Sequence, residues 1–228
     1  MLIRPELEAL RRDDTPPRQA QARRVEVLAH GRAGAAAPLA PARARFGEGA
    51  ELDDLPLLSA LFATGETAAE EFTAELVARL AAALGRDPLG QVPLRHYTDD
   101  LVTSLMLARN SRATLTLQAI DGAGLARRAA PVSVSFPPSE TVERVLAGSA
   151  DGSSVRVMAR RPGAADLDTT RVRLTPGEVQ RRDGSREALV LRQVEGCLVT
   201  LKLLRRTAAG AVTCEYRLAD GALVHQAA

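Results

Sequence analysis

Any chemistry in this chain of 228 residues has to come from few side chains, because it holds three histidines, two cysteines and one lysine, Lys202. One segment gathers several functional groups: Arg95, His96, Tyr97, Asp99 and Asp100. His96, oriented by Asp99 or Asp100, has the composition of a general base or a metal ligand. The same residues also read as the start of a strand closed by an Asp-Asp turn, with His96 half exposed. Both readings stay open, and His225 reads as a surface residue. No phosphate loop, dinucleotide fingerprint, nucleophile elbow, Cys-x-x-Cys pair or His-Glu-x-x-His helix occurs. Gly122 and Gly124 lack the third glycine of a nucleotide turn and read as loop.

Cys197 and Cys214 fall on expected strands at 197–205 and 211–218. Paired as a hairpin, these would hold the sulfurs more than about 10 Å apart along the ladder, too far for a disulfide. Both read as free, core-type thiols. So few cysteines point to a reducing, cytoplasmic location. No apolar run resembles a secretory signal or approaches the roughly 20 residues of a membrane span, so no membrane partner is expected. The formal net charge is +2 and acids are interleaved with cations, so nucleic acid is not expected either. Almost every cation is an arginine and alanine abounds, which fits a GC-rich bacterial genome better than arginines placed for phosphates.

The elements that would position these residues fall into three blocks. Residues 1–50 form an arm rich in Arg, Ala and Pro, expected to be mobile or loosely docked through Phe46 because turn formers break every periodic run. It reads either as an interaction arm or as a solvated linker. Residues 51–90 are helical and expected to pack on the β-rich remainder of the chain. Leu52, Leu55, Leu58, Leu61 and Phe62 recur at helical spacing. A second helix opens with Thr67 and Glu70 at capping-box spacing, presents Phe72, Leu76, Leu80 and Leu84 on one face, and stops at Gly85. After Gln91 the period becomes two. A hairpin at 101–108 and 113–120 is followed by short strands at 131–136, 154–159, 171–174, 188–194, 198–205, 212–218 and 222–226. Most are separated by turn signals such as Asp151-Gly152, Pro176-Gly177, Asp183-Gly184, Glu195-Gly196 and Asp220-Gly221. The expected fold is α+β and mainly β: N-terminal helices, then an antiparallel sandwich or barrel over 91–228.

The back half resembles the cupin family, with a layout nearest the cysteine-dioxygenase branch. The likeness rests on Pro-Val-Ser-Val-Ser-Phe at 131–136, Thr-Val-Glu-Arg-Val-Leu-Ala-Gly at 141–148, a strand at 154–159, Leu-Thr-Pro-Gly-Glu at 174–178 and Leu-Val-Thr-Leu at 198–201. It implies a β-barrel whose first motif and second half carry metal-binding histidines. The matching positions offer Ser133, Val134, Ser135 and Phe136, then Gln180, Ser185 and Arg186, and hydroxyls are poor ligands for such metals. No metal and no cofactor is therefore expected. The candidate pocket residues are His96, Tyr97, Ser133 and Ser135. The expected function is a non-catalytic, cupin-like module, regulatory in role, that binds a small molecule or a protein partner, with a homodimer left open. The alternative is an enzyme with an atypical metal or metal-free site near His96.

Overall fold

The computed structural model describes residues 39–86, 94–207 and 212–227, with a few isolated positions ahead of residue 39. Helices α1 (Leu39–Glu48), α2 (Pro56–Ser59) and α3 (Ala68–Arg86) come first. The strands are β1 (His96–Thr98), β2 (Val102–Arg109), β3 (Ala113–Asp121), β4 (Ser133–Phe136), β5 (Ser139–Arg161), β6 (Ala164–Leu174), β7 (Val179–Asp183), β8 (Glu187–Arg206), β9 (Thr213–Arg217) and β10 (Leu223–Ala227). A short helix α4 (Gly122–Ala126) follows β3. The large sheet runs β1-β2-β3-β8-β5-β6, with β7 also paired to β5, and the small sheet runs β10-β9-β4. Every pairing between named strands is antiparallel. The mainly β, two-sheet architecture expected from the alternating pattern is thus present.

Two long strands organise the packing. Side chains of a strand alternate between its faces, and β5 and β8 are long enough to serve two cores in succession. In their abutting segments, Val142 on β5 and Leu201 and Leu203 on β8 turn to the helices. They join Phe46, Leu55, Leu58, Phe62 and Leu115 in the largest apolar cluster. Further along the ladder, Val155 and Val190 pack against Phe136 and Tyr216 of the small sheet. The rings of Phe136 and Tyr216 lie 5.9 Å apart, tilted by 57°.

The stripe predicted over 52–62 is buried as its spacing requires, with Leu52, Leu55, Leu58, Leu61 and Phe62 all 4% exposed or less. It is not one helix. Pro56 has no N–H and fits only the first turn of a helix, so the segment is split into a 3-10 turn at Leu52–Asp54, α2, and a 3-10 turn at Ala60–Phe62. In α3 the cap differs from the predicted one. Thr67 Oγ1 donates to Glu71 Oε1 at 2.7 Å, while Glu70 is drawn to Arg144 on β5. Gly85 lies inside the helix rather than ending it.

The arm is shorter than its composition implied. Residues 39–48 form α1, and Leu39 and Phe46 are buried, Phe46 completely. What draws them in is the apolar face of the sheet, which no local reading of an Arg- and Pro-rich stretch could reveal. Nearly all of the remaining arm lies outside the described residues.

Two expected turns, Asp151-Gly152 and Glu195-Gly196, are not turns. The chain passes through both, and through Gly148, while staying in strand, with register shifts on β5 between Val145 and Ala147, Ala147 and Ser149, and Asp151 and Gly152. Positive φ at Gly148 and Gly196 marks bulges, which bend a strand without ending it. Asp121-Gly122 likewise opens α4, with Asp121 capping Gly124 N–H at 2.8 Å. Turns do occur at Pro176-Gly177, Asp183-Gly184 and just before Gly221. The hairpin of β8 with β9 does not form, since β9 pairs with β4 and β10 instead. Cys197 and Cys214 therefore sit in different sheets, both free, with Cys197 exposed and Cys214 half-buried.

Candidate functional site

Neighbours in a strand point to opposite faces, and the Glu-Arg pair of β5 shows the consequence. Arg144 turns to the helices, where its side chain is 3% exposed and pairs with Glu70 at 3.0 Å. It also donates to the carbonyls of Ala63 and Glu66. Glu143 turns the other way, into a cavity of about 600 Å³ between the large sheet and β4.

Glu143 is 8% exposed. Arg182 of β7 donates to its Oε2 at 2.5 Å and Thr200 of β8 to its Oε1 at 2.9 Å. Lys202 stands directly opposite Glu143 in the β5–β8 register. Burial by itself pushes the Glu143 carboxyl up. The charges of Lys202 and Arg182, with the hydrogen bonds from Arg182 and Thr200, outweigh burial and hold it below the usual carboxylate range. Arg182 Nη1 is shielded from solvent without a hydrogen-bond partner. Apolar side chains, among them Leu101, Ile120, Leu125 and Leu191, line it as well.

Of the predicted pocket residues, Ser133 and Ser135 line this cavity, and Ser133 donates its hydroxyl to Glu215. His96 and Tyr97 do not reach it. Both are exposed on the edge strand β1, and His96 Nδ1 lies 3.2 Å from the Leu94 carbonyl. Asp99 is spent on the turn: it accepts from Leu101 N–H at 2.8 Å and Val102 N–H at 2.6 Å, from the Tyr97 hydroxyl at 3.0 Å and from Arg128. The backbone donors of Val102 and Leu101 are the main reason its carboxyl is lowered to about 2. Asp100 also pairs with Arg128, at 2.7 Å. The segment that looked richest in chemistry is thus a well-tied turn beside an edge strand.

Glu143, Arg182 and Lys202 were not singled out by sequence. One signal was available, because the only lysine of the chain interrupts the apolar run Leu201-Lys202-Leu203-Leu204. The metal centre of cupin enzymes does not fit these residues. The cavity presents a carboxylate already engaged by Arg182 and Thr200, with two cations beside it, and cations repel a metal ion. Among the described residues no group of three or more His, Cys, Asp and Glu could hold a metal ion, and no helix is long and apolar enough to cross a membrane.

No family model matches the chain, and no curated protein matches it. Solved structures do show similarity. A cupin superfamily protein from Desulfitobacterium hafniense has 16% identity, with 48% of this chain and 81% of that one covered and a TM-score of 0.31. CENP-C of Drosophila melanogaster has 12% identity over 57% of this chain and 96% of that one, with a TM-score of 0.38. KdgF from a Halomonas species has 11% identity over 50% and 89%, with a TM-score of 0.33. Likeness at this level bears on no question of activity, ligand or partner.

Proposed function

We infer that this chain is a cupin-like module that binds a small organic molecule without transforming it, in a regulatory rather than a catalytic role. The cavity of about 600 Å³ carries the reading. Its volume lies within the ~300–1,000 Å³ of small-molecule sites, and it combines an apolar wall with a few convergent polar groups, as such sites do. A catalytic role finds less support. Glu143 is the carboxylate best placed to act as a base, yet it is ion-paired and held ionised at a depressed pKa, the opposite of the near-neutral tuning that proton transfer favours. Thermal-shift screening of an organic-acid and metabolite library tests the proposal against a Ser135→Trp variant, which puts a bulky ring at a lining position of the cavity. Compounds that raise the Tm of the wild type and not of Ser135→Trp are the expected result. A library without such compounds, or compounds that stabilise both proteins equally, overturns it.

A further inference from the structure

Around Glu143 the wall of the cavity places two cations against one carboxylate. Five ionisable side chains belong to that wall: Arg128, Glu143, Arg182, Glu187 and Lys202. Two of them are engaged by partners outside that set. Arg128 pairs with Asp100 at 2.7 Å and Asp99 at 3.2 Å, and Glu187 accepts from Arg156 Nε at 2.7 Å. The other three leave two cations against one carboxylate, and both oxygens of that carboxylate are already engaged. A local excess of cation beside a buried carboxylate favours an anion that joins it.

The donors left over have the character that an anion requires. Arg182 Nη1 is buried without an acceptor, and leaving a buried donor unmet is destabilising. Lys202 adds a compact ammonium with three rotatable donors. It is the only lysine in a chain whose 30 Lys and Arg residues are otherwise all arginine. The local excess around Glu143 is one unit, which a monoanion balances; a dianion would bring a second negative charge close to Glu143. The lining also includes Ile120, Leu125 and Leu191, apolar surface that suits a hydrocarbon body.

We propose that the cavity binds small organic monocarboxylates, the carboxylate held between Arg182 and Lys202 and the hydrocarbon body laid against Ile120, Leu125 and Leu191. This rests on the small-molecule reading above and names its ligand class. Octanoate and 4-phenylbutyrate, each compared with its own amide by isothermal titration, separate the two claims. The carboxylates should bind at least about tenfold more tightly than the amides, and Lys202→Met should remove that preference while leaving the amides unchanged. Because Lys202 is the sole lysine, reductive ¹³C-dimethylation, which keeps its charge, yields one side-chain signal besides that of the chain's α-amino group. Octanoate should shift this signal, a readout that stands even if Lys202→Met fails to fold. Equal binding of acids and amides, lost in Ser135→Trp, would leave the cavity a binding site and overturn the carboxylate class. An unmoved Lys202 signal with octanoate bound would overturn it too. Absence of binding by all four probes would overturn both readings.

Discussion

Glu143 shows how one residue couples stability to the charge of the cavity. It is buried, yet it stays ionised because Lys202 and Arg182 outweigh the desolvation that opposes its charge. A carboxyl whose folded pKa lies below its unfolded value contributes stability that is complete above the unfolded pKa and lost as pH falls through the folded one. For Glu143 the loss therefore begins below the ordinary value of 4.5 and continues downward. The wild type should lose urea stability steeply between about pH 5 and pH 3, and Glu143→Gln, less stable at pH 7 because two cations lose their counter-charge, should lose less over that window. Asp99 and the other lowered carboxylates titrate in both proteins, so the difference between the two curves isolates Glu143. Parallel curves would show that the carboxylate is neutral or unpaired in the folded chain.

At the scale of elements, what could be read along the sequence was whatever depends on near neighbours. The stripe from Leu52 to Phe62, the β2–β3 hairpin and the turns at Pro176-Gly177 and Asp183-Gly184 are local, and all are present. Strand continuity was not legible, because a glycine in a bulge and a glycine in a turn look alike one residue at a time. The site was half legible for the same reason: a motif marked Ser133 and Ser135, whereas Glu143, Arg182 and Lys202 come from three strands whose register only the folded sheet supplies. Gly148 makes the point testable. Its φ is +77°, and a Cβ there would stand 2.0 Å from the Cys197 carbonyl oxygen, backbone that cannot step aside. Gly163 has φ +74° with nothing within 4 Å. Gly163→Ala should therefore cost only the conformational strain, about 1–3 kcal/mol. Gly148→Ala should cost clearly more in equilibrium denaturation, because the β5 and β8 backbones must separate. Equal costs would mean that β5 and β8 are not in contact at this bulge.

For the whole molecule, the question is where the folded body begins. Composition placed the boundary near residue 50, and the packing of α1 extends the folded body back to Leu39. Phe46 is fully buried beneath the sheet, with the Arg205 guanidinium 4.4 Å from its ring centroid. Arg205 Nη1 also donates to the carbonyls of Phe46 at 3.1 Å and Ala50 at 2.9 Å, while Asn110 Nδ2, in the β2–β3 turn, donates to the Arg43 carbonyl at 3.1 Å. These contacts tie α1 to one corner of the large sheet, where Ala113 pairs with Arg205, and Phe46 belongs to the largest core, so loss of α1 would open that core rather than free a tail. Phe46→Ala should cost about 3–5 kcal/mol in equilibrium denaturation, as for other buried aromatic truncations. Trypsin under native conditions should spare the bonds after Arg43 and Arg45 while the body stays folded. A cost below about 0.5 kcal/mol, the usual range of a surface substitution, or early cleavage after Arg43 or Arg45, would return α1 to the arm and start the folded body near Glu51.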